Sequence, residues 1–241
     1  MLYLSRLIID ARSRYVRRDL GDCHQLHRTV LGAFPQAPAG APARDHFGLL
    51  YRAEPVDGAP SLVRLLVQSN LAPDWTRLPT GYLGPDLDGR GNPAARPVSA
   101  EYERIQAGTR LVFRLRANPT KRIATGNTEQ GEPWRGKRVE LRREADQLAW
   151  LARKGERHGF RLLETAARPE LPDVRASTAE KIRGRRPERD GVAAMPLRFG
   201  AVLFTGRLEV TDRAAFLAVL GDGIGSGKAF GFGLLSVAAR Q

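Results

Sequence analysis

The sequence predicts an α+β protein built from two ferredoxin-like (RRM-like) domains in tandem, with a basic cleft between or across them. Two observations support this prediction. Each half of the 241-residue chain shows strand-like and helix-like patterns in the order β-α-β-β-α-β. Between the halves, the Gly-, Pro- and Asp-rich stretch Gly84–Pro97 has the composition of an interdomain linker. We therefore expect an N-terminal domain over residues 1–97 and a C-terminal domain over residues 98–241.

The first half begins with a strand over Leu2–Asp10, which alternates in part and is β-branched near its end. A helix should follow from Arg18 or Asp22, because Asp22 and Gln25 have the spacing of a capping box. After a Pro- and Ala-rich connector, the pattern predicts two strands joined by a turn at Asp57-Gly58, namely His46–Ala53 and Ser61–Gln68. The second helix of this half is only weakly indicated.

The second half repeats the order with stronger signals. The strand Arg110–Ala117 carries arginines at alternating positions, and an amphipathic helix is predicted over Val139–Lys154. The stretch Thr165–Pro196 is polar and turn-rich. The remaining predicted elements are a short strand over Phe160–Glu164, a long strand over Leu197–Val210, a short helix over Thr211–Leu220 and a closing strand over Ala229–Val237.

The composition points to a polyanionic partner. Lys and Arg total 39 against 26 Asp and Glu, which gives a formal net charge of +13, and nucleic acid is the leading partner for such a charge. The single cysteine, Cys23, excludes a disulfide framework and a four-cysteine zinc site. The N-terminus has no signal-peptide pattern and no apolar stretch is long enough to cross a bilayer, so we expect a cytoplasmic protein without a membrane partner.

The positive charge is concentrated in clusters. Arg114 and Arg116 fall on the same face of one predicted strand, and further basic residues follow them within a short stretch. Any one cluster is most often a solvated surface, whereas four inside 80 residues favour a surface that tracks phosphates. The other basic residues concerned are Lys121, Arg122, Lys137, Arg138 and the run from Lys181 to Arg189.

A pair of histidines could carry chemistry. His24 and His27 are three residues apart in the predicted helix, so both imidazoles can point into one cleft. An imidazole is suited to general acid and general base catalysis near neutral pH. The alternative is that both are ordinary surface histidines. A zinc site that includes Cys23 is disfavoured, because neighbouring residues of a helix point about 100° apart.

The glycine-rich stretch Gly221–Gly233 contains Gly227-Lys228 but is not a P-loop. The residue five before Gly227 is Asp222, and Ala229 stands where a P-loop has Ser or Thr. Backbone N–H groups of such a loop could still contact phosphates. The segment from Lys228 partly resembles the RNP1 pattern, in which Phe230 or Phe232 would stack on a base, although aromatic residues on a strand are more often core.

Taken together, the spaced motifs resemble the CasE family, the repeat-processing endoribonucleases of type I-E CRISPR systems. The resemblance runs over nearly the whole chain. It is carried by RRDLGDCHQLHRTV, by LVQSNLAPDW at Leu66–Trp75, by RLVFRLRANPTKR at Arg110–Arg122, by TGNTEQGEPWRGKRV, by HGFRLL at His158–Leu163, by VLFTGRLEVTD and by GIGSGKAFGFGLLSV at Gly223–Val237. The family's fold is a tandem of ferredoxin-like domains, in agreement with the pattern above.

The resemblance implies a metal-independent endoribonuclease that uses no cofactor. It assigns catalysis to His27, with His24 where the family commonly has a tyrosine partner, and Gly32 lies near the position where some relatives have a lysine. Attack by the ribose 2′-OH would give a 2′,3′-cyclic phosphate and a 5′-hydroxyl. The implied RNA-binding residues are Arg28, the arginine and lysine residues named above, Arg183, Arg185 and Arg186 of a hairpin that enters the RNA groove, and Gly225, Gly227 and Lys228.

The implied partners are the CRISPR repeat hairpin, the mature crRNA that stays bound, and the other subunits of the Cascade surveillance complex. A non-catalytic RNA-binding module would explain the charge equally well, and a scaffold subunit of a ribonucleoprotein is a weaker alternative because it also leaves the glycine-rich loop without a role. That alternative leaves His24 and His27 without a chemical role.

Overall fold

The computed structural model describes residues 1–122, 138–186, 188 and 193–239. Its two large sheets are antiparallel, and each is formed by one half of the chain. The first sheet has the strand order β2-β3-β1-β4. Its strands are β1 (Tyr3–Asp10), β2 (Leu50–Val56), β3 (Ala59–Ser69) and β4 (Ala94–Pro97).

Helices cover the first sheet on one side. Between β1 and β2 lie α1 (Arg14–Gly21), α2 (Cys23–Leu31) and the short α3 (Ala43–His46). The position of the second ferredoxin helix holds only a 3-10 turn at Trp75–Arg77, which fits the weak signal in the sequence. The core of this half contains fully buried side chains such as Leu7, Ile9 and Val67. These side chains lie on the same face of the sheet, because alternate residues of a strand point to the same side.

The second sheet has the order β11-β5-β10-β8, and β9 pairs with the first part of β10. Its strands are β5 (Arg110–Ala117), β8 (Phe160–Leu162), β9 (Val174–Arg186), β10 (Met195–Val210) and β11 (Leu235–Ala239), and a ribbon of β6 (Thr120–Arg122) and β7 (Arg138–Glu140) stands beside it. The helices of this half are α4 (Ser99–Glu103), α5 (Glu144–Arg157) and α6 (Arg213–Asp222).

In both sheets the order is fourth, first, third and second strand of a β-α-β-β-α-β unit, which confirms the predicted tandem ferredoxin-like fold. In the second sheet the second strand is divided between β8 and β9, because both pair with β10. The predicted strand Arg110–Ala117 has the observed bounds of β5. No helix within the described ranges is long and apolar enough to span a membrane.

The structure places strands in two stretches whose composition predicted a linker or turns. Part of the expected linker Gly84–Pro97 is β4, which pairs with β1 from Tyr3↔Pro97 to Arg6↔Ala94, because the sheet edge offers hydrogen bonds that an edge strand with proline can use. The polar, turn-rich stretch Thr165–Pro196 contains β9 and the start of β10, whose antiparallel pairing agrees with the hairpin that the resemblance implies for Arg183 and Arg185. The start of β9 packs Val174 and Ala176 against the core, but the end of the hairpin is mostly exposed and lacks the buried apolar face by which a strand is recognised.

Several predicted boundaries also differ from the structure. His46 ends α3 rather than starting a strand, because the chain turns at Gly48, which has a φ of 56°. The expected closing strand Ala229–Val237 begins only at Leu235, and Lys228–Phe230 forms a 3-10 turn. The helix predicted from Arg18 or Asp22 is two helices, α1 and α2, which meet at the extended residue Asp22.

The two halves are joined through a buried arginine of the first sheet. Arg52, with a side chain only 2% exposed, pairs with Glu54 at 2.7 Å. Its Nη1 donates to the backbone carbonyl of Leu234 at 2.9 Å, and its Nη2 donates to Ser236 Oγ at 3.0 Å. Apart from its bond to Glu54, its hydrogen bonds go to residues of the second half. Arg52 therefore holds the two halves in a fixed arrangement.

Candidate functional site

The two histidines are positioned by α2. This helix begins after Asp22, whose Oδ1 accepts from the His24 N–H at 2.9 Å and caps the helix start. Leu26 and Val30 on one side of the helix are buried in the first core. His24 and His27 are half-buried, and their three-residue spacing puts both on one side of the helix, as the sequence predicts.

His27 lies among aromatic side chains from both halves. Its ring is stacked against Tyr51 of β2 with centroids 6.3 Å apart, and it meets the edge of Phe230 at 6.4 Å. The Tyr51 hydroxyl donates to the carbonyl of Ala229 at 2.7 Å, which ties the glycine-rich loop to the first sheet. His27 therefore occupies the junction of α2, β2 and this loop.

The electrostatic environment keeps His27 neutral. Burial, followed by the nearby charges of His24 and Arg44, lowers the pKa of His27 to about 4. The Nδ1 atom is buried and has no hydrogen-bond partner among the described residues. Proton exchange with a bound molecule therefore falls to Nε2, and at pH 7 the imidazole is in the neutral form, which is the form that can accept a proton.

The glycine-rich loop follows α6 and leads into β11, which is the reverse of a P-loop context. Gly227 has a φ of 76°, and a Cβ there would lie 2.9 Å from the Phe232 ring. Gly231 has a φ of 82° and faces Tyr51 and Ile182. Glycine is needed at both positions, because other residues rarely adopt this backbone region. Gly225 is half-buried beside Trp150.

Positive charge surrounds this loop. Lys228 is half-buried, and burial, followed by the charge of Arg44, lowers its pKa, although Asp222 acts in the opposite direction. The pKa of His158 is lowered by burial and by Lys154. A group of cations held this close to one another in a partly buried place is suited to receive an anion.

The two candidate stacking residues have different places. Phe232 is fully buried, as expected of a core aromatic residue. Phe230 is half-buried beside His27 and stacks on Phe199 of β10 with centroids 5.2 Å apart. Neither lies on a strand, because β11 begins only at Leu235.

The hairpin of β9 and β10 carries exposed arginines next to α2. Arg183 and Arg185 are exposed, and β9 packs against α2 through Gly184, which faces Cys23. Arg186 ends β9, but its side chain lies outside the described part of the structure. The structure thus brings Arg183 and Arg185 to the helix that bears His27.

Arg114 and Arg116 lie on one face of β5, as predicted, but they contact the first half. Arg114 Nη1 is 3.3 Å from Glu54 Oε2. Arg116 donates to the carbonyls of Ala53 at 3.3 Å and Glu180 at 2.9 Å. Their guanidinium groups therefore take part in bonds within the protein at the interface of the halves.

The remaining predicted RNA contacts are on other surfaces. Arg28 is exposed on α2, and Lys121, Arg122 and Arg138 are exposed on the ribbon of β6 and β7. Lys137 lies outside the described residues. Tyr51, Phe199 and Arg44 are near His27 or its loop but were not found from the sequence. No motif marks them, since their proximity arises only when the two halves pack together.

These features agree with the comparisons to known proteins. A family model described as CRISPR associated protein matches residues 2–239, and the chain belongs to this family. The CRISPR-associated endoribonuclease Cse3 of Thermus thermophilus is 40% identical over 238 residues, which cover 98% of this chain and 100% of that protein. The CRISPR system Cascade subunit CasE of Escherichia coli is 32% identical over 239 residues, covering 98% and 99%.

A solved structure of the CRISPR endoribonuclease Cse3 bound to a 19-nucleotide RNA superposes with a TM-score of 0.74 at 38% identity. The match covers 98% of this chain and 99% of that one. The resemblance inferred from the sequence motifs is thereby confirmed.

Proposed function

We propose that this protein is an endoribonuclease that cleaves CRISPR precursor RNA at the repeat stem-loop and so produces mature crRNA. The observation that carries the proposal is the neutral, partly buried His27 at the junction of the halves, beside an arginine-bearing hairpin and a glycine-rich loop. Membership of the CRISPR-associated family and the name of the T. thermophilus relative, a CRISPR-associated endoribonuclease, support the substrate class.

The proposed reaction is a transesterification that needs no metal ion or other cofactor. His27 accepts the proton of the ribose 2′-OH, and the 2′ oxygen attacks the adjacent phosphorus. The bond from phosphorus to the 5′ oxygen breaks, which leaves a 2′,3′-cyclic phosphate and, once that oxygen is protonated, a 5′-hydroxyl. A positioned imidazole typically contributes about 10²–10⁴-fold to such a proton transfer.

Neighbouring groups assist the reaction. His24, one helical turn before His27, is the candidate to assist proton transfer in place of the tyrosine common in the family. Lys228 and Arg44 are candidates to stabilise the charge that develops on the phosphate, because cations aimed at developing charge lower the barrier most. The RNA phosphate in turn raises the pKa of His27, since a nearby anion favours the imidazolium.

The repeat hairpin is recognised mainly by its backbone and shape, because A-form RNA has a deep, narrow major groove that hides the base edges. We assign stem contacts to Arg183, Arg185 and Arg186, and loop-phosphate contacts to Gly225, Gly227 and Lys228. Arg28, Arg114, Arg116, Lys121, Arg122, Lys137 and Arg138 extend the proposed binding surface. The exposure of Arg183 and Arg185 beside α2 supports the first assignment.

The product crRNA stays bound, and the protein acts as a subunit of the Cascade complex in the cytoplasm. The name of the E. coli relative as a Cascade subunit supports this part of the proposal. We propose further that residues 1–97 and 98–241 are the two domains, with the RNA held against both.

Single-turnover cleavage of a repeat hairpin in the presence of EDTA tests the proposal. We expect one cut, with a 2′,3′-cyclic phosphate on one product and a 5′-hydroxyl on the other. A hairpin with 2′-deoxyribose at the nucleotide before the cut should bind but stay intact. Binding of the ribose hairpin without cleavage would instead identify a non-catalytic RNA-binding module, and loss of cleavage in EDTA would contradict metal independence.

A further inference from the structure

The arginine-bearing strand β9 is pressed against the start of the histidine-bearing helix α2. At Gly184 a Cβ atom would lie 2.5 Å from Cys23 Sγ and 2.8 Å from Asp22 Oδ1. Real Cβ atoms essentially never approach so closely, so only glycine permits this contact. Because successive strand residues point to opposite sides, Gly184 faces the helix while Arg183 and Arg185 point away from it and are exposed.

A single carboxylate oxygen bonds to both elements. Asp22 Oδ1 accepts from the His24 N–H at 2.9 Å, which caps α2, and from the Arg185 N–H at 3.3 Å, which belongs to β9. Both donors are backbone groups. The link therefore sets the position of the strand relative to the helix without using any arginine side chain.

The helix needs such a link because it is short. With nine residues, α2 is below the length at which a helix is stable in water by itself. Its orientation depends on its buried face and on the contacts of its first turn. A misplacement of about 1 Å in a catalytic group can reduce a rate about 10²-fold, so the first turn bears directly on the imidazole of His27.

We propose that Asp22 is a positioning residue, which holds the helix of His27 in register with the arginine-bearing strand so that RNA seated on that strand meets the imidazole. The inference rests on the proposed function, since it concerns how the same site is assembled. Asp22 acts through the backbone of its neighbours and is not itself a catalytic residue.

The test compares Asp22→Ala with Asp22→Asn, using the full-length protein and a repeat hairpin. At saturating protein, Asp22→Ala should lower the single-turnover cleavage rate constant 10- to 100-fold, while its Kd for the uncleavable 2′-deoxy hairpin changes less than threefold. Asp22→Asn should cleave within threefold of the wild type, because the amide oxygen accepts the same two bonds. Gly184→Ala should resemble Asp22→Ala, because the added methyl group separates the strand from the helix.

Asp212→Ala is the matched control, since Asp212 caps α6 by accepting from the Ala215 N–H at 3.1 Å, and its side chain has no hydrogen bond to β9 or α2 among the described residues. This variant should cleave within twofold of the wild type. The proposal is overturned if Asp22→Ala also cleaves within twofold of the wild type, or if Asp212→Ala loses as much activity.

Amide hydrogen exchange gives a readout that does not depend on cleavage. In Asp22→Ala, the amides of Arg185 and of the first turn of α2 should lose protection together, and in Asp212→Ala they should not. If the wild type fails to cleave the hairpin, the proposed function fails, and the exchange result alone decides whether Asp22 couples the two elements. Unchanged exchange at Arg185 in Asp22→Ala would contradict the coupling.

Discussion

The two halves of the molecule have the same strand order but differ in what they contribute to the site. The first half lacks a full second helix and supplies His24, His27 and Tyr51. The second half has both helices, α5 and α6, and supplies the glycine-rich loop and the exposed arginines of β9. In the proposed function, the first half provides proton transfer and the second half provides most of the RNA binding, so the site exists only where the halves meet.

The helices that follow the first strand of each half show the same contrast. α5 has fourteen residues and buries Trp150 and Leu151, and its N-cap Arg143 makes no side-chain capping bond. α2 has nine residues and is capped by Asp22. The long helix is held by its packing, whereas the short one depends more on its first turn, next to the histidines. The helix that bears His27 is thus the one more sensitive to local changes.

The largest expected effect is on catalysis in the first half. His27→Ala should lower the single-turnover cleavage rate constant about 10²–10⁴-fold, because it removes the group proposed to accept the 2′ proton. The matched control is His46→Ala, which removes an exposed histidine of α3 and should change the rate less than twofold. Cleavage by His27→Ala at the wild-type rate would show that the chemistry lies elsewhere.

Breaking the interface between the halves should lower the free energy of unfolding substantially. Arg52→Ala leaves the buried carboxylate of Glu54 without its 2.7 Å ion-pair partner and with the half-exposed Arg114 at 3.3 Å, and we expect the free energy of unfolding to fall by about 3–5 kcal/mol. Denaturant unfolding measures this loss. Arg96→Ala, which removes an exposed partner of Glu101, should cost no more than about 1 kcal/mol, and equal losses would contradict the role given to Arg52.

The lowered pKa of His27 predicts a pH-dependent contribution to stability. Since the pKa is about 4 in the folded protein and 6.5 ordinarily, protonation favours the unfolded chain. The contribution is fully present above pH 6.5 and is lost as the pH falls toward 4. The unfolding free energy of the wild type minus that of His27→Gln should therefore fall by about 2 kcal/mol between pH 7.5 and 4.5. A constant difference would mean that the imidazole is not buried.

The smallest effect concerns RNA binding by the second half. The double variant Arg183→Ala/Arg185→Ala should weaken binding of the repeat hairpin about tenfold and reduce the salt dependence of the affinity, because two phosphate contacts are removed. Arg110→Ala/Arg161→Ala is the control, since it removes the same charge from exposed arginines that pair with Glu209. Filter binding at several salt concentrations compares the RNA affinities of the two double variants. Equal losses of affinity would mean that Arg183 and Arg185 contribute only through the net charge of the protein.

The sequence predicted the features that depend on local pattern. The bounds of β5 follow from strict alternation of burial along the strand, and Asp22 was recognised as a cap from its spacing to the helix. The positions of His24 and His27 on one side of α2 follow from helical periodicity. These features need no knowledge of what packs against them.

Features that depend on long-range packing were not predictable. The strand β4 was read as a linker because its pairing with β1, about ninety residues earlier, leaves no apolar pattern. Tyr51 and Phe230 contact His27, and Phe199 stacks on Phe230, although the three aromatic residues belong to three separate elements. Their assembly depends on how the two sheets dock, which no single segment encodes.

The most direct test of the division of labour is the cleavage rate constant at saturating protein, measured side by side for Arg183→Ala/Arg185→Ala and His27→Ala. Excess protein compensates for weak binding, so the double arginine variant should cleave within threefold of the wild type while His27→Ala stays at least 100-fold slower. A double arginine variant that cleaves as slowly as His27→Ala would contradict the separation of binding from chemistry.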